Sequence, residues 1–109
     1  MLKEKFVFSR ITNGIERKYQ YKLIKTLIGT DEVFGIEIER TDYKGDLEID
    51  SYKDSVELIS PVESKVKGLL KILYENQVSP IHLIDIIGEY VDEYVNDFKN
   101  IDLNAIKTV

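Results

Sequence analysis

Ser60-Pro61-Val62-Glu63 is where this chain changes its hydrophobic period. Upstream, apolar and polar residues alternate two by two; downstream, apolar residues recur every three or four positions, and those are the periods of strand and helix. Ser60 reads as a helix N-cap. Pro61 suits the first helical position, where its missing N–H is not needed, and Glu63 completes a capping box. Val62, Val66, Leu69, Leu70 and Leu73 then share one face, opposite Lys65, Lys67 and Lys71, which predicts a helix over about 61–76. Ser79-Pro80 repeats the start signal. A second helix follows over about 80–98, with Leu83, Ile84, Ile87, Val91, Tyr94, Val95 and Phe98 as its buried stripe and Ile86 and Tyr90 widening it.

Working back from Ser60, strands are expected over about 5–59. Lys5 to Ile11 leads into Asn13-Gly14, a pair that tolerates the positive φ angles of a type I′ hairpin turn. In the next run Tyr19, Tyr21 and Leu23 alternate with Lys18, Gln20 and Lys22. After Gly29-Thr30-Asp31, Phe34, Ile36 and Ile38 alternate with Gly35, Glu37 and Glu39. Lys44-Gly45-Asp46 turns the chain into a fourth run, in which Ser51 to Ser55 reads as a bulge or loop. Short turns between alternating runs make an antiparallel meander with one apolar face. Neither helix is stable alone in water, so the expected fold is α+β: a four-stranded antiparallel meander with a two-helix hairpin packed on one face. It forms a single domain over 1–98. Residues 99–109 form a tail that could be a docked helix, an added strand or an exchanged segment.

Composition excludes several chemistries. The 109 residues include no Cys, so there is no disulfide, no thiolate nucleophile and no Cys-ligated metal. A single histidine, His82, excludes multi-His zinc sites. His82, Asp85 and Glu89 share a helix side but offer no fourth ligand, and no loop matches the calcium-binding pattern. Ser79 and His82 lack an orienting third group, and no nucleophile elbow, phosphate loop or dinucleotide fingerprint occurs. The chain is therefore expected to be non-enzymatic, with no catalytic residue, no metal and no cofactor. The opening Met1-Leu2-Lys3-Glu4-Lys5 has no apolar leader and no run is long enough to span a membrane, so a cytoplasmic location is expected.

Charge is segregated along the chain. Residues 1–30 carry seven basic and two acidic side chains, whereas residues 31–60 carry three basic and ten acidic. Outward Lys18 and Lys22 are expected to lie across from Glu37 and Glu39. The second helix bears Asp85, Glu89, Asp92, Glu93 and Asp97 and no Lys or Arg, which equals the net charge of −5 of the whole chain. Helix C-termini disfavour negative charge, so these five residues are the candidate contacts for a basic protein partner. A homodimer is a second possible assembly. Arg17-Lys18-Tyr19-Gln20-Tyr21-Lys22 has the basic-aromatic composition of a nucleic-acid-binding strand, but Tyr19 and Tyr21 share their face with Leu23 and are needed beneath the helices. Nucleic acid is therefore not the expected partner. Gly68 and Gly88 lie within helices at a cost of about 1 kcal/mol each, for which close packing is the expected reason and a notch for a partner side chain the alternative.

The stretch Val78 to Tyr90, with Ser79-Pro80, Leu83 and Asp85, together with Gly35-Ile36-Glu37-Ile38, resembles a family of short, functionally uncharacterised proteins from clostridia-like bacteria. The likeness covers about residues 15–95, and the chain departs from it by running on to Val109. It implies a strand-rich first half, two helices and a bacterial cytoplasmic setting, and it implies no activity. The expected role is a small acidic interaction module or regulator. A toxin-neutralising or phage-type inhibitor, or a nucleic-acid-binding module using the first hairpin, are the alternatives.

Overall fold

The computed structural model describes residues 2–99. Four strands come first: β1 (Leu2–Thr12), β2 (Ile15–Ile28), β3 (Asp31–Lys44) and β4 (Leu47–Ser60). They pair antiparallel in the order β1-β2-β3-β4 as one sheet. Each connection is a two-residue turn. Asn13 and Gly14 both have positive φ (54° and 76°), while Gly29 (63°) and Gly45 (62°) supply the positive φ of the other two turns. Helix α1 (Glu63–Glu75) follows, then a 3-10 turn Pro80–His82, helix α2 (Leu83–Tyr94) and a closing 3-10 turn Val95–Phe98. The fold is α+β, as the change of period at Ser60 predicts. No helix among the described residues is long and apolar enough to cross a membrane. The tail's residues 100–109 lie outside the described residues.

The register explains which faces are greasy. Phe6 and Phe8 lie opposite Tyr21 and Tyr19, and Tyr21 and Leu23 lie opposite Ile38 and Ile36. Directly opposed residues share a face, so these side chains form one apolar surface. Helix α1 lays Val66, Leu69, Leu70 and Leu73 over β2 and β3, while α2 brings Leu83 and Ile87 to β4, and all of them join one core. Phe8 stacks on Tyr19 with ring centres 4.7 Å apart, and Phe6 on Tyr74 at 4.9 Å. The Tyr21 hydroxyl donates to the carbonyl of Val78 at 2.9 Å, tying the middle of the sheet to the link between the helices. That link turns at Gln77, whose φ of 52° is left-handed. The amides of Gln77 and Val78 bond back to the carbonyls of Tyr74 and Leu73 (3.0 and 3.1 Å), closing a Schellman motif without glycine.

Several sequence expectations need correction. Helix α1 starts at Glu63 rather than Pro61. Ser60 ends β4, and its hydroxyl accepts from the Val62 amide at 3.0 Å without acting as the helix's N-cap residue. The polar stretch Ser51 to Ser55 is strand, because β4 runs unbroken from Leu47 to Ser60. Its irregularities lie on either side of that stretch: Ile49 is extra between the pairs Tyr43–Glu48 and Asp42–Asp50, and further on β3 moves two residues from Phe34 to Ile36 while β4 moves four from Ser60 to Val56. Gly35 sits in that bulge, where a Cβ would collide with the carbonyl oxygens of Val56 and Glu57. Lys18 lies opposite Thr41, not a glutamate; Lys22 alone engages both Glu39 (2.9 Å) and Glu37 (3.5 Å). Burial by itself would lower the Lys22 pKa, but the hydrogen bond and charge of Glu39, helped by Glu37, hold it above its ordinary range. A Cβ added to Gly68 or Gly88 would meet nothing within 4 Å, so neither glycine serves close packing among the described residues.

The sheet outruns its helical cover. Fourteen-residue strands are about 46 Å long, whereas the thirteen residues of α1 span about 20 Å. The helices sit at the end that holds Ile28, Val33 and Ile59, and among the described residues neither helix covers the other end, with the Asn13-Gly14 and Gly45-Asp46 turns.

Candidate protein-interaction surface

Helix α2 and the turns flanking it carry the five candidate carboxylates. At a period of 3.6 residues, Leu83, Ile87, Tyr90 and Tyr94 turn inward: the first two are buried and the tyrosines pack against the core. The next strip around the helix is Ile84, Gly88, Val91 and Val95, continued backwards by Ile81. The strip beyond that is Asp85, Glu89 and Asp92, with Glu93 beside it.

Burial corrects the expected apolar stripe. Ile84 and Val95 belong to the stripe expected to be buried, yet they are 58% and 61% exposed, and Ile81 is 59% exposed. The buried strip is narrower than the sequence suggests: of the strip next to it Ile81, Ile84 and Val95 face solvent, while Val91 is half-buried and packs against the core. Ile81, Ile84, Gly88, Val91 and Val95 are spaced three, four, three and four apart, the spacing of a seam between two helices. That spacing is written in the sequence, but its position beside a second, buried stripe hides it.

The acidic residues divide into two groups. Asp85, Glu89, Asp92 and Glu93 are exposed, and among the described residues none of the four makes an ion pair. Asp97 is placed differently. Its carboxylate accepts from the Ser60 hydroxyl (2.8 Å) and takes both of its oxygens to the Lys65 ammonium (3.0 and 2.9 Å). The hydrogen bond from Lys65 first, and that from Ser60 second, hold the Asp97 carboxyl below its usual range. The same ammonium lies 5.0 Å from the centre of the Tyr94 ring. Asp97 thus latches the end of the second helical segment to the end of β4 and the start of α1. Its negative charge is matched within the chain.

Other surfaces offer less. A shallow cavity of about 420 Å³ on the outward face of the sheet is lined by Ser9, Glu16, Lys18, Tyr43, Gly45 and Asp46. Two carboxylates against one ammonium select no charged ligand. Tyr19 and Tyr21 are 4% and 0% exposed, so their rings cannot stack on bases. Among the described residues no three of His, Asp and Glu converge as metal ligands would, and His82 is exposed at the start of α2.

A family model described as a family of unknown function (DUF6514) matches residues 4–93. That span takes in β1 from Glu4, the other three strands, α1, and α2 through Glu93, and with them Asp85, Glu89, Asp92 and Glu93. No curated protein and no solved structure matches the chain.

Proposed function

The chain belongs to this family of unknown function, and from that premise we propose that it is a non-enzymatic interaction module that docks a basic protein segment on α2. One observation carries the reading: Asp85, Glu89, Asp92 and Glu93 are exposed without an ion-pair partner among the described residues, and they border the exposed aliphatic strip Ile81, Ile84 and Val95. Each aliphatic side chain covered by a partner contributes about 1.5–3 kcal/mol of burial, less what it already buries. The carboxylates contribute chiefly to orientation and to the rate of encounter with a basic surface. Gly88 lies between Ile84 and Val95 with open space above it, a depression into which a partner side chain fits. The setting we assign is the cytoplasm of a bacterium, in keeping with a cysteine-free chain.

The test is capture of partners from the native host with the wild type, with Asp85→Lys/Glu89→Lys/Asp92→Lys, and with Ile84→Glu/Val95→Glu. Asp97 is left intact because it holds the fold. The charge reversal should remove the captured partner. An identical partner list from all three baits would refute the reading.

A further inference from the structure

Edge strands present unpaired backbone groups, and proteins blunt them with bulges and charges. The two edges of this sheet are treated differently. β4 departs from regular pairing at two places, between Asp42 and Tyr43 of β3 and again between Phe34 and Ile36. β1 pairs with β2 without a shift from Glu4 to Thr12, and no described strand pairs with its outer side. The Asn13-Gly14 turn makes Thr12 and Ile15 a hydrogen-bonded pair, and such pairs alternate along an antiparallel ladder. The backbone groups of Glu4, Phe6, Phe8 and Arg10 therefore bond to β2, while those of Lys5, Val7, Ser9 and Ile11 point away from it.

This outward row is complementary to a second copy of itself. A two-fold axis through Val7, at right angles to the sheet, sets the β1 strands of two copies antiparallel and side by side. Val7 then lies beside Val7 of the other copy, Lys5 beside its Ser9, Phe6 beside its Phe8 and Glu4 beside its Arg10. No like charges are opposed. Arg10, which within the chain has the Tyr19 ring at 5.8 Å and the Tyr19 hydroxyl at 3.5 Å, gains a carboxylate. Glu4, which already meets Lys67 at 3.5 Å, gains a second cation. Phe6 and Phe8 are half-buried and lie opposite Tyr21 and Tyr19, so the join runs the aromatic rows of the two cores into one another. Val7, 40% exposed, is covered at the axis.

The helices leave room for this join. Helix α1 packs on β2, β3 and β4, and its contacts with β1 fall on the first half of that strand, where Tyr74 stacks on Phe6 and Lys67 meets Glu4. The axis sets that half beside the second half of the other β1. The helical layers of the two copies thus stand over opposite ends of one continuous sheet. A two-fold contact of this kind uses the same patch on both copies and closes on itself.

We infer that the outer side of β1 is a homodimer interface, in which Glu4–Arg10 pairs antiparallel with the same segment of a second copy about an axis at Val7. The α2 surface lies over β4 and stays open in that dimer.

The chain has no cysteine, so a single introduced thiol reports on one position. Across a hydrogen-bonded pair the Cα atoms are about 5.5 Å apart, within reach of a disulfide. With a mild thiol oxidant, Val7→Cys should convert to a covalent dimer, whereas Leu47→Cys, exposed on the opposite edge strand, should stay monomeric. The Val7 amide is not used in the β1–β2 ladder, so Val7→Pro leaves that ladder whole and blocks the join. Sedimentation equilibrium of the full chain should show a wild-type dimer and, for Val7→Pro, a dissociation constant raised about tenfold or more. Near-ultraviolet circular dichroism of the tyrosines checks that the variant is folded. Should Val7→Pro fail that check, Val7→Lys replaces it; it sets two ammonium groups together at the axis and weakens the dimer more at low salt than at high salt. A wild type that stays monomeric up to about 1 mM, cross-linking no faster at Val7→Cys than at Leu47→Cys, or a folded Val7 variant that dimerises as the wild type does would each overturn the inference. Loss of the dimer on Asp85→Lys/Glu89→Lys/Asp92→Lys would also overturn it, by moving the interface to α2.

Discussion

Replacing Tyr21 by Phe removes one oxygen atom from the centre of the molecule and tests how the helical layer is held. The ring is wholly buried, in contact with the Phe8, Tyr19 and Tyr74 rings, and Phe fills the same space. What disappears is the 2.9 Å hydrogen bond to the Val78 carbonyl, which joins residues 57 positions apart. Val78 is itself buried, so its carbonyl would be left in an apolar setting. A buried acceptor that loses its donor costs about 1–3 kcal/mol. For a domain of this size, about 2 kcal/mol lowers the melting temperature by roughly 10 °C. The pH dependence supplies a second readout. Burial first, and the neighbouring Tyr19 second, push the Tyr21 phenol well above its ordinary range. The folded state therefore holds this proton more tightly than the unfolded chain does. The resulting stability is complete below about pH 10, the unfolded phenol's value, and is lost as the pH rises from there through the folded value. Tyr21→Phe has no such proton to lose, so the gap between wild type and variant should narrow above about pH 10. Melting curves followed by circular dichroism from neutral to strongly alkaline pH would measure both effects. A variant that melts with the wild type at neutral pH, or a gap that stays constant into alkali, would refute the account.

Other perturbations follow from the same contacts. Gly35→Ala should cost more than about 2 kcal/mol in urea titrations, because the new methyl meets backbone oxygens in the bulge that no rotamer change can move; a near-neutral result would mean the bulge relaxes freely. Gly68→Ala and Gly88→Ala should each stabilise the chain by about 1 kcal/mol, since helix propensity improves and nothing stands in the way. A loss of stability would reveal packing on those helix faces. Asp97→Asn should lower the melting temperature at neutral pH by releasing Lys65. The charged form of Asp97 is favoured on folding, so its contribution is present above the unfolded carboxyl pKa of about 3.9 and disappears as the pH falls through the lowered folded value. The two melting curves should therefore converge in strong acid, and a difference that persists there would contradict the latch.

Much of the architecture is legible without coordinates because local and long-range preferences agree where the core is. Asn13-Gly14 specifies its turn, Tyr19, Tyr21, Leu23, Ile36 and Ile38 alternate cleanly, and Ser79-Pro80 marks the second helical start. Reading fails where one face of the sheet ceases to be apolar. Arg40, Asp42, Asp50 and Asp54 occupy positions that continue the greasy face, so Ser51 to Ser55 shows no alternation and looks like loop, although its backbone is held by β3. At Gln77 local preference favours Gly or Asn, and the left-handed turn is imposed instead by the Schellman bonds and the burial of Val78. The candidate surface is half legible. Four carboxylates of α2 stand where the helical period puts them. Asp97 does not stay with them, because its role depends on Ser60, 37 positions away, and no periodicity encodes that. Ile84 and Val95 look identical to core residues in sequence; only the position of α2 over β4 leaves their third of the helix uncovered.

The long strands with short helical cover imply that this molecule opens unevenly. Amides near Ile36, Ile38 and Tyr21 lie beneath packed side chains and can exchange with solvent only when much of the core comes apart. Those near Asn13 and Gly45 are, among the described residues, held by ladder bonds without helical cover and can fray without disturbing α1 or α2. Hydrogen-exchange protection should accordingly fall along every strand from root to tip, and a ligand or second copy that clasped the tips would slow exchange there first.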